Sequence, residues 1–173
     1  MPIESASTES ATPEKVIGAG VTEAEALVRR LTGGGLYVKT GLLLLPRLWL
    51  GREKEVAARL NLGHLDYQTW RVERLRPGER RLRYSADRLI AELDAICTER
   101  HEAHHLLLSN LDLPVAALSG EERRKFWTFL HSAFAKRPRA LLATFPEAAE
   151  ELLPWDTDLA QWKDQGRLST WNL

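Results

Sequence analysis

The stretch of residues 42–60, LLLLPRLWLGREKEVAARL, decides the fold. Four leucines in a row at positions 42–45 are typical of a buried strand in a parallel sheet. Val56 and Leu60 lie one helical turn apart, so residues 53–60 are predicted to form a helix. The stretch therefore indicates a strand, a connecting loop and a helix, which is the repeating unit of a parallel α/β fold.

The connecting loop of this stretch lies where a phosphate-binding P-loop, G-x-x-x-x-G-K-S/T, would lie. The motif positions are occupied by Pro46, Gly51, Arg52 and Glu53. A phosphate cradle needs inward-facing backbone N–H groups and a hydroxyl for Mg²⁺, but Pro46 has no N–H and Glu53 is negatively charged. We also expect Leu48 and Trp49 to crowd the concavity. The loop therefore predicts a nucleotide-binding architecture that no longer handles nucleotide.

A second apolar strand, predicted for residues 105–108, ends where a Walker B strand would deliver an Asp to Mg²⁺. Ser109 takes that place, Asn110 follows it, and Asp112 lies two residues further on. Serine and asparagine are weak ligands for a hard dication, and Asp112 could substitute only if the loop turned it back. Because both nucleotide motifs are degraded, we expect no nucleotide hydrolysis and no bound cofactor. The alternative is a core strand that stops at polar residues.

The composition indicates a globular protein without a strong overall field. Among its 173 residues, 24 basic side chains balance 24 acidic ones, so charge alone draws it neither to nucleic acid nor to membranes. The lone Cys97 excludes an internal disulfide and fits a reducing compartment. No apolar run approaches the roughly 20 residues of a membrane-spanning helix, and the polar, acidic start is unlike a signal peptide. We therefore expect a cytoplasmic location.

The chain order predicts one α/β domain over residues 21–173, preceded by a disordered tail over residues 1–20. Apolar runs alternate with amphipathic segments, which favours a mainly parallel sheet of about five strands covered by helices. The expected strands are residues 42–45, 67–72, 105–108, 140–144 and 167–173. Helix starts are predicted at Thr22, Ser85 and Ser119.

A different function is indicated by residues 101–105, HEAHH, which match the zinc-protease pattern H-E-x-x-H. On a helix, His101 and His105 would share one face and bind zinc while Glu102 acted as the base. A third ligand would come from Glu121 or Glu122. His105 runs straight into the predicted strand, however, so a polar loop between helix and strand is the competing interpretation.

Residues 71–88 form a dense basic segment around a Pro-Gly turn at positions 77 and 78. Its arginines are Arg71, Arg74, Arg76, Arg80, Arg81, Arg83 and Arg88. Trp70 and Tyr84 flank the segment, and guanidinium forks with aromatic rings suit nucleic acid or an acidic protein. The balanced total charge favours the protein partner, and a solvated turn is the third possibility.

Together these features resemble the small P-loop proteins of bacterial phage-exclusion (BREX-type) loci and, more widely, AAA-like ATPase cores. The resemblance covers about residues 36–173 and rests on the segments LLLLPRLWLGRE, HLLLSNLDLP, RALLATFPEAAEELLP and GRLSTWNL. Gly51 matches the family motif and Arg52 keeps the charge of its lysine, whereas Glu53 and Ser109 depart from it. The resemblance implies a P-loop NTPase-like fold in a catalytically inactive interaction subunit of a phage-defence complex. Whether the chain is an enzyme stays open, and the degraded motifs favour a non-enzymatic role.

Overall fold

The computed structural model describes residues 17–78 and 83–172, with side chains described from residue 23 onward. The strands are β1 (Thr40–Leu45), β2 (Gly63–Asp66), β3 (Leu106–Ser109), β4 (Leu141–Pro146) and β5 (Leu168–Thr170). The α-helices are α1 (Ile17–Thr32), α2 (Glu53–Arg59), α3 (Tyr67–Glu73), α4 (Ala86–Thr98), α5 (Asp112–Ala116), α6 (Gly120–Thr128) and α7 (Asp156–Asp164). In this part of the chain, no helix is long and apolar enough to cross a membrane.

The five strands form one sheet in the order β2-β3-β4-β1-β5. Every neighbouring pair is parallel, and β1 pairs with β4 over all six of its residues. Parallel neighbours need crossover connections, and the helices between the strands supply them. The predicted α/β fold with a parallel sheet of five strands is therefore confirmed.

Both faces of the sheet are buried, which explains the continuous leucine run of β1. Leu42 belongs to the core on one face and Leu43 to the core on the other, as the alternation of a strand requires. Helices α1 and α2 cover the face of Leu43, and α3 to α7 cover the face of Leu42. The connections from β2 to β3, from β3 to β4 and from β4 to β5 run in one direction along the sheet and cover the Leu42 face. The connection from β1 to β2 runs in the opposite direction and covers the Leu43 face. All the crossovers therefore have one hand.

The strand predicted for residues 67–72 is wrong, because these residues form helix α3 and the strand precedes them as β2. Asp66 ends β2 and caps the helix, accepting a hydrogen bond from the backbone N–H of Thr69 at 3.0 Å. Tyr67, Trp70 and Arg71 are buried at helical spacing. Alternation of large and polar residues thus imitates a strand within an amphipathic helix of only seven residues.

The other helix boundaries confirm two predicted starts and correct several more. Ser85 and Ser119 are N-caps whose hydroxyls accept a backbone N–H, as predicted. The start predicted at Thr22 is wrong, because α1 begins at Ile17, inside the segment predicted as tail. Helices α5 and α7 begin at Asp112 and Asp156, where no helix start is predicted. Residues 1–16 lie outside the described chain.

A buried arginine joins the amino ends of β1 and β5 to the segment that follows α6. Arg167 is 2% exposed and donates to the carbonyl of Thr40 at 2.7 Å and to that of His131 at 2.8 Å. It also donates to the Leu130 carbonyl and lies 4.4 Å from the ring centroid of Trp162. Burial lowers the pKa of Arg167 to about 10, so the guanidinium stays charged at neutral pH. Backbone carbonyls and an aromatic face solvate this charge inside the protein.

We predict that Arg167→Met lowers the free energy of unfolding by about 3 kcal/mol or more, because several buried carbonyls lose their donor. Urea denaturation followed by circular dichroism measures the change. Arg47→Ala, at an exposed arginine, is the matched control and should stay within about 0.5 kcal/mol of the wild type. A loss below about 1 kcal/mol for Arg167→Met would show that water replaces the guanidinium.

Candidate functional site

A small cavity lies at the carboxyl ends of β1 and β4, the neighbouring central strands. From β1 the chain continues to one edge of the sheet and from β4 to the opposite edge. Such a divergence leaves a crevice, which is where open parallel sheets bind their ligands. The cavity has a volume of about 140 Å³ and is lined by Leu45, Leu50, Gly51, Glu53, Asn110, Asp112, Thr144, Phe145 and Pro146.

In the loop from β1 to α2, the polar groups that could face a ligand bind side chains of the same segment. After Pro46 the backbone makes a single 3-10 turn, and Gly51 takes φ +82°, a conformation that favours glycine. The backbone N–H of Gly51 donates to the Glu53 carboxylate at 2.9 Å. Arg52 pairs with Glu55 at 2.6 Å. The N–H group and the cation that a phosphate would use are therefore already engaged within the loop.

The prediction that Leu48 and Trp49 crowd the concavity is wrong. Trp49 is buried in the core on the α1 and α2 side of the sheet, where its ring meets that of Trp171 at a centroid distance of 5.5 Å. Leu48 is 84% exposed. The 3-10 turn separates these two side chains from the cavity, and Leu50 supplies its apolar wall instead.

The polar residues at and after the end of β3 lie in two different environments, namely next to β2 and at the cavity. Ser109 is buried, and its hydroxyl lies 2.9 Å from Nε2 of His64 on the neighbouring strand. Asn110 has φ +60° and donates from Nδ2 to the Asp66 carboxylate at 2.7 Å. Asp112 lines the cavity, which places this residue at the switch point, as a substitute for the Walker B Asp would require.

The lining of the cavity is acidic. Glu53 and Asp112 are among its lining residues, as is Thr144, whose buried hydroxyl donates to the carbonyl of Leu108 at 3.3 Å. Among the described residues no lysine or arginine lines the cavity. The charge at the switch point therefore has the sign opposite to that of a phosphate-binding site.

Sequence reasoning missed three polar residues at this edge of the sheet, namely His64, Asp66 and Thr144. Asp66 and Thr144 lie on strands near their carboxyl ends, and His64 in β2 reaches Ser109 at the carboxyl end of β3. Polar residues at such ends are a recognisable signal once the strands are placed correctly. Because residues 67–72 were interpreted as the strand, the polar residues of β2 went unnoticed. Burial lowers the pKa of His64, against the opposing effect of Asp66 and Glu53.

The geometry that a zinc site needs is missing from residues 101–105. These residues form bends instead of a helix, so His101 and His105 do not share a helical face. His101 Nε2 lies 2.8 Å from the carbonyl of Ile96, and His105 Nδ1 accepts the backbone N–H of Ala140 at 3.0 Å. Among the described residues no three His, Cys, Asp or Glu side chains group as metal ligands, including those with Glu102, Glu121 or Glu122.

The basic segment is partly internal. Arg71 is buried, with Nε 2.8 Å from the Glu92 carboxylate, and Arg88 lies 3.1 Å from the same group. Arg74 lies over the ring of Trp70 at 4.4 Å. The structure brings Arg71, Arg74, Arg76 and Arg88 together in one groove, and Arg83 is exposed. Arg80 and Arg81 lie outside the described residues.

No protein-family model matches this chain, and no curated protein matches it. Since a fold alone does not establish a function, the function is inferred from the geometry and charge of the site.

We predict that stability falls as the pH drops below the value of about 6.5 at which an unfolded histidine titrates. Burial lowers the folded-state pKa of His64, so the unfolded chain binds the proton more readily and acid favours unfolding. His64→Gln should reduce this slope without abolishing it, because burial also lowers the pKa of His105 and His131.

Urea denaturation between pH 7 and pH 5 measures the effect. His104→Gln, which removes an exposed histidine, is the matched control. A slope for His64→Gln equal to that of the wild type would contradict the role given to this imidazole.

Proposed function

We propose that this chain is a catalytically inactive, P-loop-like interaction subunit of a bacterial phage-defence complex, working with a protein partner. The observation that carries the proposal is the hydrogen bond from the Gly51 N–H to the Glu53 carboxylate, made at the position of a phosphate loop. The order of the parallel strands supports the architecture, and the self-closed loop supports the loss of nucleotide chemistry.

Electrostatics supports the loss of nucleotide binding more strongly than the shape of the loop does. Glu53 and Asp112 both line the cavity at the switch point. Two like unit charges about 4 Å apart repel by about 4 kcal/mol at an effective dielectric constant near 20. A triphosphate brings several negative charges, and its Mg²⁺ would find no P-loop hydroxyl and, in place of the Walker B aspartate, only Asp112. This repulsion outweighs the one hydrogen bond that Gly51 could offer, which contributes about 1 kcal/mol.

An interaction role is supported by exposed apolar side chains in the segments that follow β1 and β3. Leu48 is 84% exposed and Leu50 is 41% exposed in the loop after β1, and Leu113 in α5 is 60% exposed. Single exposed leucines are ordinary, but three in the two segments that border one cavity form a candidate contact surface for a protein. The assignment to phage defence rests on the sequence resemblance in β1, β3, β4 and β5 and the residues that flank them.

Calorimetry with ATP and Mg²⁺ tests the proposal. We predict that the wild-type protein binds ATP with a Kd weaker than about 1 mM and does not hydrolyse it, because the loop and the cavity are negatively charged. Micromolar binding, or turnover that survives purification and disappears with an alteration at Gly51, would overturn the proposal.

A matched pair of variants tests whether Glu53 blocks an ATP site that is otherwise present or whether the chain has no such site. Glu53→Ser removes the carboxylate from the Gly51 N–H and restores the hydroxyl of the motif. Glu55→Ser, in the first turn of the same helix, removes a carboxylate that pairs with Arg52. A gain of ATP binding in Glu53→Ser alone would identify Glu53 as the group that closes the loop.

A further inference from the structure

The sheet is open along its β5 edge. Parallel strands bond through alternate residues, and β5 bonds to β1 through the carbonyl of Arg167 and the N–H of Trp171, each at 2.8 Å. The main-chain groups of Leu168 and Thr170 therefore point away from β1. Within the described part of the chain, the only hydrogen-bond partner of these groups is the Ser169 hydroxyl, which donates to the Thr170 carbonyl at 3.4 Å. The outer side of β5 thus keeps main-chain donors and acceptors that another strand can use.

The opposite edge of the sheet is less suited to accept a strand. It is formed by β2, which carries the charged residue Asp66, and charged side chains are a common protection of edge strands. The three residues of β5 include neither a charged residue nor a proline. Apart from its shortness, β5 therefore lacks these protections, and it is the edge at which we expect pairing with a further strand.

A groove runs beside this edge, between β5 and α1. It has a volume of about 390 Å³ and is lined by Glu23, Ala26, Leu27, Arg30, Lys163, Gly166, Leu168 and Ser169. Arg30 lies at the amino end of β5, because its Nη1 is 2.6 Å from the place that a Cβ on Gly166 would take. Glu23 precedes Arg30 by two helical turns, roughly 10 Å along α1. Since α1 leads to the amino end of β1, Glu23 lies toward the carboxyl end of β5, and Ala26 and Leu27 lie between the two charges.

The charged side chains that line this groove have no ion-pair partner in the described part of the chain. Glu23, Arg30 and Lys163 are all exposed, and none of them pairs with another described residue. Lys163 lies at the same end as Arg30, since its carbonyl accepts the Gly166 N–H at 2.8 Å. The groove therefore has two cations at one end, one carboxylate at the other and apolar side chains between them.

We propose that a second copy of this chain binds at this edge, with the two β5 strands paired antiparallel about a two-fold axis at Ser169. Leu168 then lies opposite Thr170 of the second copy, and each such pair exchanges both of its N–H···O bonds. An axis perpendicular to the sheet keeps the two α1 helices on one face and makes them antiparallel neighbours. Because Ser169 and the middle of α1 line the same groove, this axis brings Glu23 of each copy to Arg30 of the other.

The charge pattern favours a second copy over an unrelated strand. A two-fold interface requires a surface that is complementary to itself. Opposite charges on either side of the centre of one groove meet this requirement, and Lys163 adds a second cation beside the same carboxylate. The groove shares no lining residue with the cavity at the switch point, so the inference does not depend on the proposed function.

Sedimentation velocity of the full-length protein tests the strand pairing. At concentrations of about 1 to 100 μM, we expect a reversible equilibrium between monomer and dimer. Thr170→Pro should weaken dimerisation by about tenfold or more, because it removes an outward N–H and leaves the bonds to β1 in place. Thr170→Val keeps this N–H and should alter the dimerisation Kd by less than about twofold. Thermal melts check that both variants fold, and charge reversals decide if the proline variant does not.

The charge pairs are tested by reversing one charge at a time. Glu23→Arg places arginine opposite arginine and should weaken self-association by about fivefold or more, since two exposed ion pairs become repulsive. Arg30→Glu should have a smaller effect, because Lys163 still faces Glu23 of the second copy. An equimolar mixture of the two variants should regain the dimerisation of the wild type, because each charge then meets its opposite on the other copy.

The remaining outcomes decide against the inference. A wild-type protein that stays monomeric over this range of concentration excludes the dimer. A dimer that Thr170→Pro and Glu23→Arg leave unchanged shows that the two copies meet elsewhere. Mixed variants that do not regain association show that Glu23 and Arg30 do not face each other across a two-fold axis. Each of these failures leaves the ATP calorimetry unaffected, so the proposed function is tested separately.

Discussion

The buried guanidinium of Arg167 is the interaction on which the arrangement of the sheet depends. It has no carboxylate partner among the described contacts and is satisfied by the carbonyls of Thr40, Leu130 and His131 and by the ring of Trp162. Burying a charge in this way costs several kcal/mol unless its donors are all directed at acceptors. The π-helical segment Phe129–Ala133 supplies two of those acceptors, because its wider turn presents carbonyls to the side.

A second arginine acts in the same way at β4, which lies two strands from β5 in the sheet. Arg139, just before β4, donates to the carbonyls of Cys97 and Glu99 at 2.8 and 2.7 Å and so closes the end of α4. The two arginines hold the amino ends of β4 and β5, whereas the cavity and the degraded motifs lie at the carboxyl ends. The stabilising arginines therefore lie at the amino ends of the strands, and the candidate site lies at the carboxyl ends. Substitutions in the loops at the carboxyl ends can therefore change the chemistry of the candidate site without removing the hydrogen bonds of Arg139 and Arg167.

Much of the fold could be predicted from the sequence, because buried parallel strands leave a direct signal in leucine runs such as those of β1 and β3. The helix α3 could not, since its buried Tyr67 and Trp70 and exposed Val72 imitate a strand over so short a segment. The roles of the arginines were also hidden. A sequence shows that Arg71 is charged but not that Glu92 meets it from a helix more than twenty residues away in the chain.

The loop of residues 46–53 satisfies one of its own backbone donors. In a nucleotide-binding loop, the inward N–H groups remain unsatisfied until the ligand arrives, and ligand binding then stabilises the fold. Here the Glu53 carboxylate satisfies the N–H of Gly51 from within the chain. The carboxylate that would repel a phosphate therefore also takes the donor that a phosphate would need. No ligand is required to complete this hydrogen bond, and the exposed side chains of the loop, above all Leu48 and Leu50, are left at the surface.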